Sequence, residues 1–228
     1  MKILMLVISS DTFPVYAKHR EVWRMYMKSH PDIDCYFIHY RPEAIIPILT
    51  KDTLFLRGIE SYGGITRKTI ESLQYFFQRG KPYTHVVRTN LSSVWDFKEL
   101  VAFLETQPKT GLYSGIINNN VENKAPYVSG AGIVMSIDIA QMLVELRNFV
   151  CSVGISDDVD FGHTLSGLGI SPVHGKRVDF VSLKHYEEHH DKTPEGSYHY
   201  RIRHENYVGN RMEEPEIMRR IVARIYNK

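Results

Sequence analysis

Cysteine is scarce: the chain has two in 228 residues, Cys35 and Cys151. Each sits among apolar neighbours, which predicts two buried free thiols and argues against a disulfide framework. Long hydrophobic runs are lacking. No stretch approaches the roughly 20 apolar residues that a bilayer-spanning helix needs. The opening MKILMLVISS has no cleavage pattern and leads straight into the next segments, so it reads as a strand rather than a signal peptide. A soluble, cytoplasmic chain is expected. Charge of one sign is also lacking. The 28 basic and 26 acidic residues leave a net charge of +2, which gives no electrostatic argument for nucleic acid. A phosphate loop of the GxGxxG or GxxxxGK type is absent, as are repeats and low-complexity segments. Five of the eleven histidines lie between His185 and His204, but no HExxH or CxxC spacing accompanies them.

What is present is an ordinary globular balance, 43% hydrophobic and 24% charged, enough for one sizeable core. Residues 2–8 are a continuous apolar run, the pattern of a buried parallel strand. Ser9, Ser10 and Asp11 follow it. Helical spacing over residues 19–28 puts Val22, Trp23, Tyr26 and Met27 on one face. Strands are predicted at 33–40 and 54–58. Thr66 is placed to cap a helix running to about residue 79, with Ile70, Leu73, Phe76 and Phe77 inward and Gly80 ending it. Lys68 falls in its first turn, where a positive charge opposes the helix dipole. That position suits an anionic ligand or plain solvent.

Residues 84–87 read as a buried strand delivering Arg88-Thr89-Asn90 to its carboxyl end, where open α/β sheets bind ligands. A solvated turn would have the same composition. A helix at 97–105 and a strand at 111–117 follow. A polar loop at 118–124 has the composition of a cover or acceptor-facing segment. Residues 126–132 read as a turn with two glycines, before a short strand at 133–136. Ser136 then starts a helix with Ile139, Met142, Leu143 and Leu146 inward. The small residues at 129–132 let a backbone approach a ligand or another element closely. Ser156 is an N-cap ahead of Asp157, Asp158 and Asp160; acids at a helix start need no further role, and equally one of them serves as a general base. The last helix starts near Pro215 and buries Ile217, Ile221, Val222 and Ile225. Together these predict an α/β fold with a mostly parallel central sheet flanked by helices.

Four segments carry a family likeness: Arg20-Glu21-Val22-Trp23; Glu60-Ser61-Tyr62 through Thr66-Arg67-Lys68-Thr69; residues 126–136, PYVSGAGIVMS; and Asp157-Asp158-Val159-Asp160-Phe161-Gly162. In that order they resemble motifs of the inverting β-1,3-glycosyltransferases of the galactosyltransferase and fringe type. RTNLSS and YHYRIRH also resemble glycosyltransferases encoded by large DNA viruses of algae and amoebae. The resemblance implies a single GT-A domain. Its Rossmann-like, nucleotide-sugar half would span residues 1–95, and its acceptor half and tail residues 96–228. The implied activity is inverting transfer of a sugar from a nucleotide sugar, a UDP-sugar, to a hydroxyl of a glycan or glycoprotein. The viral likeness implies the cytoplasm of an infected host.

On that likeness Asp158 maps to the catalytic base, with Asp157 orienting beside it. The donor side would be Ser9, Ser10, Asp11, Lys68, Arg88, Thr89 and Asn90. The acceptor side would be Ser129, Gly130 and Gly132, with His185, His199, Arg201 and Arg203 closing over the phosphates. One departure stands out. Arg88-Thr89-Asn90 occupies the place of the family's metal-holding DxD acids. Either Mn2+ or Mg2+ is held by Asn90 with His185 and His199, or Arg88 meets the diphosphate directly, since a guanidinium binds phosphate bidentately. A dead donor site would leave a non-catalytic nucleotide- or carbohydrate-binding protein. A nucleotide-sugar hydrolase is the other alternative.

Overall fold

The structure, a computed structural model, describes residues 1–119, 125–154, 156–203 and 211–227. From residue 120 on, the expected acceptor-facing loop lies outside the described residues, as does His204. In chain order the strands are β1 (Ile3–Ile8), β2 (Ile33–Tyr40), β3 (Ile48–Leu49), β4 (Thr53–Leu56), β5 (His85–Asn90), β6 (Ser93–Trp95), β7 (Tyr113–Asn118), β8 (Tyr127–Ser136), β9 (Val173–His174), β10 (Arg177–Phe180) and β11 (His199–Ile202). The helices are α1 (Val15–Tyr26), α2 (Ile65–Phe77), α3 (Phe97–Glu105), α4 (Ile137–Glu145), α5 (Arg147–Val153), α6 (Asp157–Gly167), α7 (Leu183–His189) and α8 (Glu214–Tyr226). None of the described helices is long and apolar enough to cross a membrane. The chain forms two compact units, each of three segments. Met1–Ser10, Asp32–Thr89 and Pro108–Gly175 make one; Asp11–Pro31, Asn90–Gln107 and Lys176–Lys228 make the other.

The first unit is built on an eight-stranded sheet of order β3-β4-β2-β1-β5-β8-β7-β9. Ile3 to Val7 of β1 are fully buried, as their unbroken apolar run predicts for a strand covered on both faces. The sheet is mixed, which corrects the expectation of a mostly parallel one. β1–β2, β2–β4 and β7–β9 run parallel, but β3–β4, β5–β8 and β7–β8 run antiparallel. An apolar run records burial on both faces, not direction, so β8 could not be told from a parallel strand. Leu73, Phe76, Ile139, Leu143, Phe161 and Leu165, from helices α2, α4 and α6, share one apolar core with the strands. Each such side chain contributes about 1.5–3 kcal/mol of burial.

Two further expectations change here. The turn at 126–132 is absent, because residues 127–136 form one ten-residue strand, β8, paired on both sides. β8 pairs with β5 over Gly132–Ser136 and with β7 over Tyr127–Val128 and Ile133–Met135, across a bulge, and the small side chains that resemble a turn composition instead allow close packing. The second concerns the thiols. Cys35 is buried but Cys151 is exposed on α5. Neighbouring residues on a helix point in different directions, so Val150 faces the core and Cys151 does not.

The second unit holds a three-stranded sheet, with β10 parallel to β11 and β11 antiparallel to β6. Helix α1 begins at Val15, earlier than its spacing predicted, with Pro14 at the N-cap, where a fixed φ suits a helix start. Its aromatic face is as expected. Trp23 stacks on Tyr26, centroids 5.1 Å apart, and Tyr26 on Tyr226 of α8 at 5.0 Å. Such pairs add about 0.5–1.5 kcal/mol beyond their buried area. Beside them His19 lies 3.1 Å from Glu214, which also takes both forks of Arg211 at 2.9 Å.

Candidate active site

Helix α6 opens on three acids, Asp157, Asp158 and Asp160, and the first unit treats them differently. Asp157 and Asp160 are three residues apart, so they lie on one face of the helix. Thr66 and Thr69 have the same spacing on α2. Thr66 donates its hydroxyl to Asp160 at 2.5 Å, and the Thr69 hydroxyl lies 3.3 Å from Asp157. These two rungs tie α2 to α6. Thr66 therefore does not cap α2, as its sequence suggested. A 3-10 turn, Tyr62–Gly64, precedes the helix, and Ser61 caps that turn by accepting from the Gly64 N–H.

Asp157 is also the partner of Arg88. The guanidinium Nε lies 2.6 Å from one carboxylate oxygen and Nη2 donates to the other at 3.1 Å. Both side chains are almost fully buried. Burial pushes the Asp157 carboxyl up from its ordinary value, and the Arg88 charge only partly offsets this. The expected strand at 84–87 in fact continues as β5 through Asn90. Arg88 and Thr89 pair with Ile133 and Gly132 of β8. The triplet thus belongs to the strand rather than to a loop beyond it, and Thr89 donates its hydroxyl to the Ala131 carbonyl.

Asp158 is the half-buried acid of the three. One of its oxygens accepts from the Ser156 hydroxyl at 2.5 Å and the Val159 N–H at 3.0 Å; the other accepts from the Gly130 N–H at 2.9 Å. Ser156 occupies the N-cap position, but its hydroxyl serves Asp158 instead of a backbone N–H. Gly130 sits tightly against the acid and its neighbour. A Cβ there would stand 3.1 Å from Asp158 Oδ2 and 3.3 Å from Arg88 Nη1. Ser129, Gly130 and Gly132, expected on the acceptor side, are buried residues of β8. Gly162 brings α6 onto β8: a Cβ at that position would fall 2.3 Å from the Tyr127 Cβ. Tyr127 is half-buried, and its phenol is pushed up by burial first and by the Asp158 charge second, with Asn118 bonding to it. A carboxylate in this position is chemically able to accept a proton from a hydroxyl within hydrogen-bond reach.

The remaining expected residues have well-defined surroundings. Ser9 is buried, and its hydroxyl shares a 2.6 Å hydrogen bond with His39 Nε2. Ser10 follows it, half-buried. Lys68 is 1% exposed; its ammonium donates to the Ser9 carbonyl at 2.6 Å and to both oxygens of Glu60 at 2.7 Å. Both cations expected to face a diphosphate, Lys68 and Arg88, are thus buried and held by carboxylates. In the second unit Asp11 accepts from Arg20 at 2.5 Å, and Asn90 ends β5, half-buried. His199 is buried, stacked on Trp95 at 4.2 Å and bonded through Nε2 to the Ser93 hydroxyl; burial holds its imidazole well below the ordinary value. His185 lies on α7 against Phe180 and His189. Arg201 and Arg203 lie in and just after β11.

Among the described residues no group of three His, Cys, Asp or Glu side chains is disposed to hold a metal ion. The His199 ring is buried with its Nε2 bonded to the Ser93 hydroxyl, which does not suit it as a metal ligand beside Asn90 and His185. Residues that sequence reasoning missed are Thr66 and Thr69 as partners of the acids, and Glu60 as partner of Lys68. The matched i, i+3 spacing of Thr66–Thr69 and Asp157–Asp160 was the available signal for the first. Nothing local signals the second.

No known family model and no curated protein sequence matches the chain. Among solved structures it is similar to the crystal structure of a glycosyltransferase involved in the glycosylation of the major capsid of PBCV-1. The TM-score is 0.57 at 14% identity, over 96% of this chain and 99% of that one. At that identity the likeness is one of fold, and it runs the length of both chains.

Proposed function

We propose that the chain is a glycosyltransferase of the GT-A type that moves a sugar from a nucleotide sugar, a UDP-sugar, to a hydroxyl of a glycan or glycoprotein with inversion. The end-to-end likeness in fold to a solved glycosyltransferase is the observation that carries this reading. The arrangement of acids on α6 supports the assignment of roles. Asp158 takes the proton of the acceptor hydroxyl. The acceptor oxygen then bonds to the anomeric carbon as the bond to the diphosphate breaks, and the nucleoside diphosphate leaves. Asp157 is a positioning residue that fixes Arg88 and the start of α6. Tyr127, which feels the Asp158 charge and is bonded by Asn118, is the neighbour that supports placing the acceptor there.

A thermal-shift titration with UDP, GDP and their sugars, with and without manganese, tests this. The expected result is stabilisation by one nucleotide and its sugar. No response to any nucleotide in either condition would sink the transferase reading. One observation favours a second reading, a nucleotide- or carbohydrate-binding protein without transfer: Lys68 and Arg88 are already neutralised by Glu60 and Asp157. That reading requires binding without acceptor-dependent release of nucleoside diphosphate.

A further inference from the structure

Helix α7 carries a histidine pair that the proposed transfer does not use. His185 and His189 are four residues apart, and in an α-helix that spacing stacks side chains on one face. Their imidazoles lie nearly parallel, 24° between planes, with centroids 4.5 Å apart. His189 Nδ1 is engaged with the His185 carbonyl at 3.0 Å. That bond fixes its tautomer with the proton on Nδ1, so Nε2 keeps its lone pair. His189 is exposed, so this nitrogen is reachable. The His185 ring is half-buried, and its buried Nδ1 has no hydrogen-bond partner. Among the described residues no hydrogen bond holds either nitrogen of that ring in place, so it can turn about χ2 and present one beside its neighbour.

We infer that His185 and His189 form a two-histidine chelate for a borderline divalent transition metal such as nickel, copper or zinc. Imidazole nitrogen suits these ions, whereas magnesium and calcium prefer oxygen. Metal–nitrogen bonds of about 2.0–2.1 Å require the two nitrogens to be on the order of 3 Å apart. His189 keeps its bond to the His185 carbonyl, and turning the His185 ring is the movement the chelate requires. The protein supplies two ligands and water fills the other positions. Glu188, on the same helix, already lies 3.9 Å from Lys184 and is not counted.

Isothermal titration of the full chain with nickel chloride, and separately with magnesium chloride, tests the site. The expected result is one nickel site, with no saturable heat from magnesium. Chelation makes the second ligand intramolecular, so His189→Gln and His185→Gln should each weaken nickel binding roughly a hundredfold. His174→Gln, an exposed histidine on β9, should bind as the parent does. His189 is exposed, so its variant should keep the fold; circular dichroism confirms this before titration. Parent-like nickel binding by both α7 variants, or no nickel binding by the parent, would overturn the inference.

Discussion

Asp157, Asp158 and Asp160 are the same residue type within four positions, yet their surroundings assign them different roles. Asp157 and Asp160 are buried rungs to Thr69 and Thr66, and Asp157 also carries Arg88. Removing one side of a buried ion pair leaves the other charge uncompensated, at a cost of about 3–5 kcal/mol. Asp157→Ala should therefore lower unfolding stability in urea by about that much, and Arg88→Met combined with Asp157→Leu should recover part of the loss. Asp158→Asn keeps the shape but turns an amide NH2 toward one of the N–H donors that the carboxylate accepts from, and should cost about 1–2 kcal/mol. Equal losses in Asp157→Ala and Asp158→Asn would contradict this division of roles. From sequence, these residues could be placed near a site but not assigned partners. Arg88 and Asp157 are 69 positions apart, and nothing local says that the arginine charge is already compensated. Lys68 poses the same problem with Glu60.

At the scale of the element, most helices and strands were readable because burial periodicity fixes them. β2 and α3 fall at their expected bounds, and α2 buries Ile70, Leu73 and Phe76 as its spacing requires. β8 was not readable. Its Ser-Gly-Ala-Gly composition resembles a turn, and its strand conformation comes from two neighbours distant in sequence. The glycine of α6 that matters is the one facing β8. Gly162→Ala would force a Cβ against Tyr127 and should cost about 1–3 kcal/mol by overpacking. It should also displace Asp158 and lower transfer. Gly167, on the same helix, has nothing within 4 Å of an added Cβ, so Gly167→Ala should leave the urea midpoint unchanged or slightly raised. Equal effects from the two variants would show that α6 does not rest on β8 as described.

At the scale of the whole molecule, strand direction and the division into two interleaved units left no mark in composition. No proline- or glycine-rich linker separates the segments. Acid sensitivity is a property of this scale, because buried neutral histidines occur in both units. Burial lowers the imidazoles of His19, His85 and His199, the last most strongly. Below about pH 6.5 the unfolded chain binds protons that these folded rings refuse. Stability is therefore full above that pH and declines as pH falls through it, by up to about 1.4 kcal/mol per pH unit for each such ring. The lowered carboxyls of Asp34 and Glu214 add a separate loss, confined to below about pH 4.5. Urea midpoints should fall accordingly between about pH 8 and about pH 5, the range that brackets the ordinary histidine value. His199→Phe keeps a ring over Trp95 and should make the slope shallower. An unchanged slope in that variant would remove His199 from the explanation.

Under the proposed function Asp158, the acid at the head of α6 that is neither tied to α2 nor paired with Arg88, is the base for glycosyl transfer. Release of nucleoside diphosphate from the nucleotide sugar that stabilises the protein, followed with and without a hydroxyl acceptor, tests it most directly when Asp158→Asn is run beside the parent chain. The expected result is acceptor-dependent release by the parent, reduced about a hundredfold or more in Asp158→Asn, with nucleotide binding retained. Acceptor-dependent release at the parental rate by Asp158→Asn would contradict the assignment.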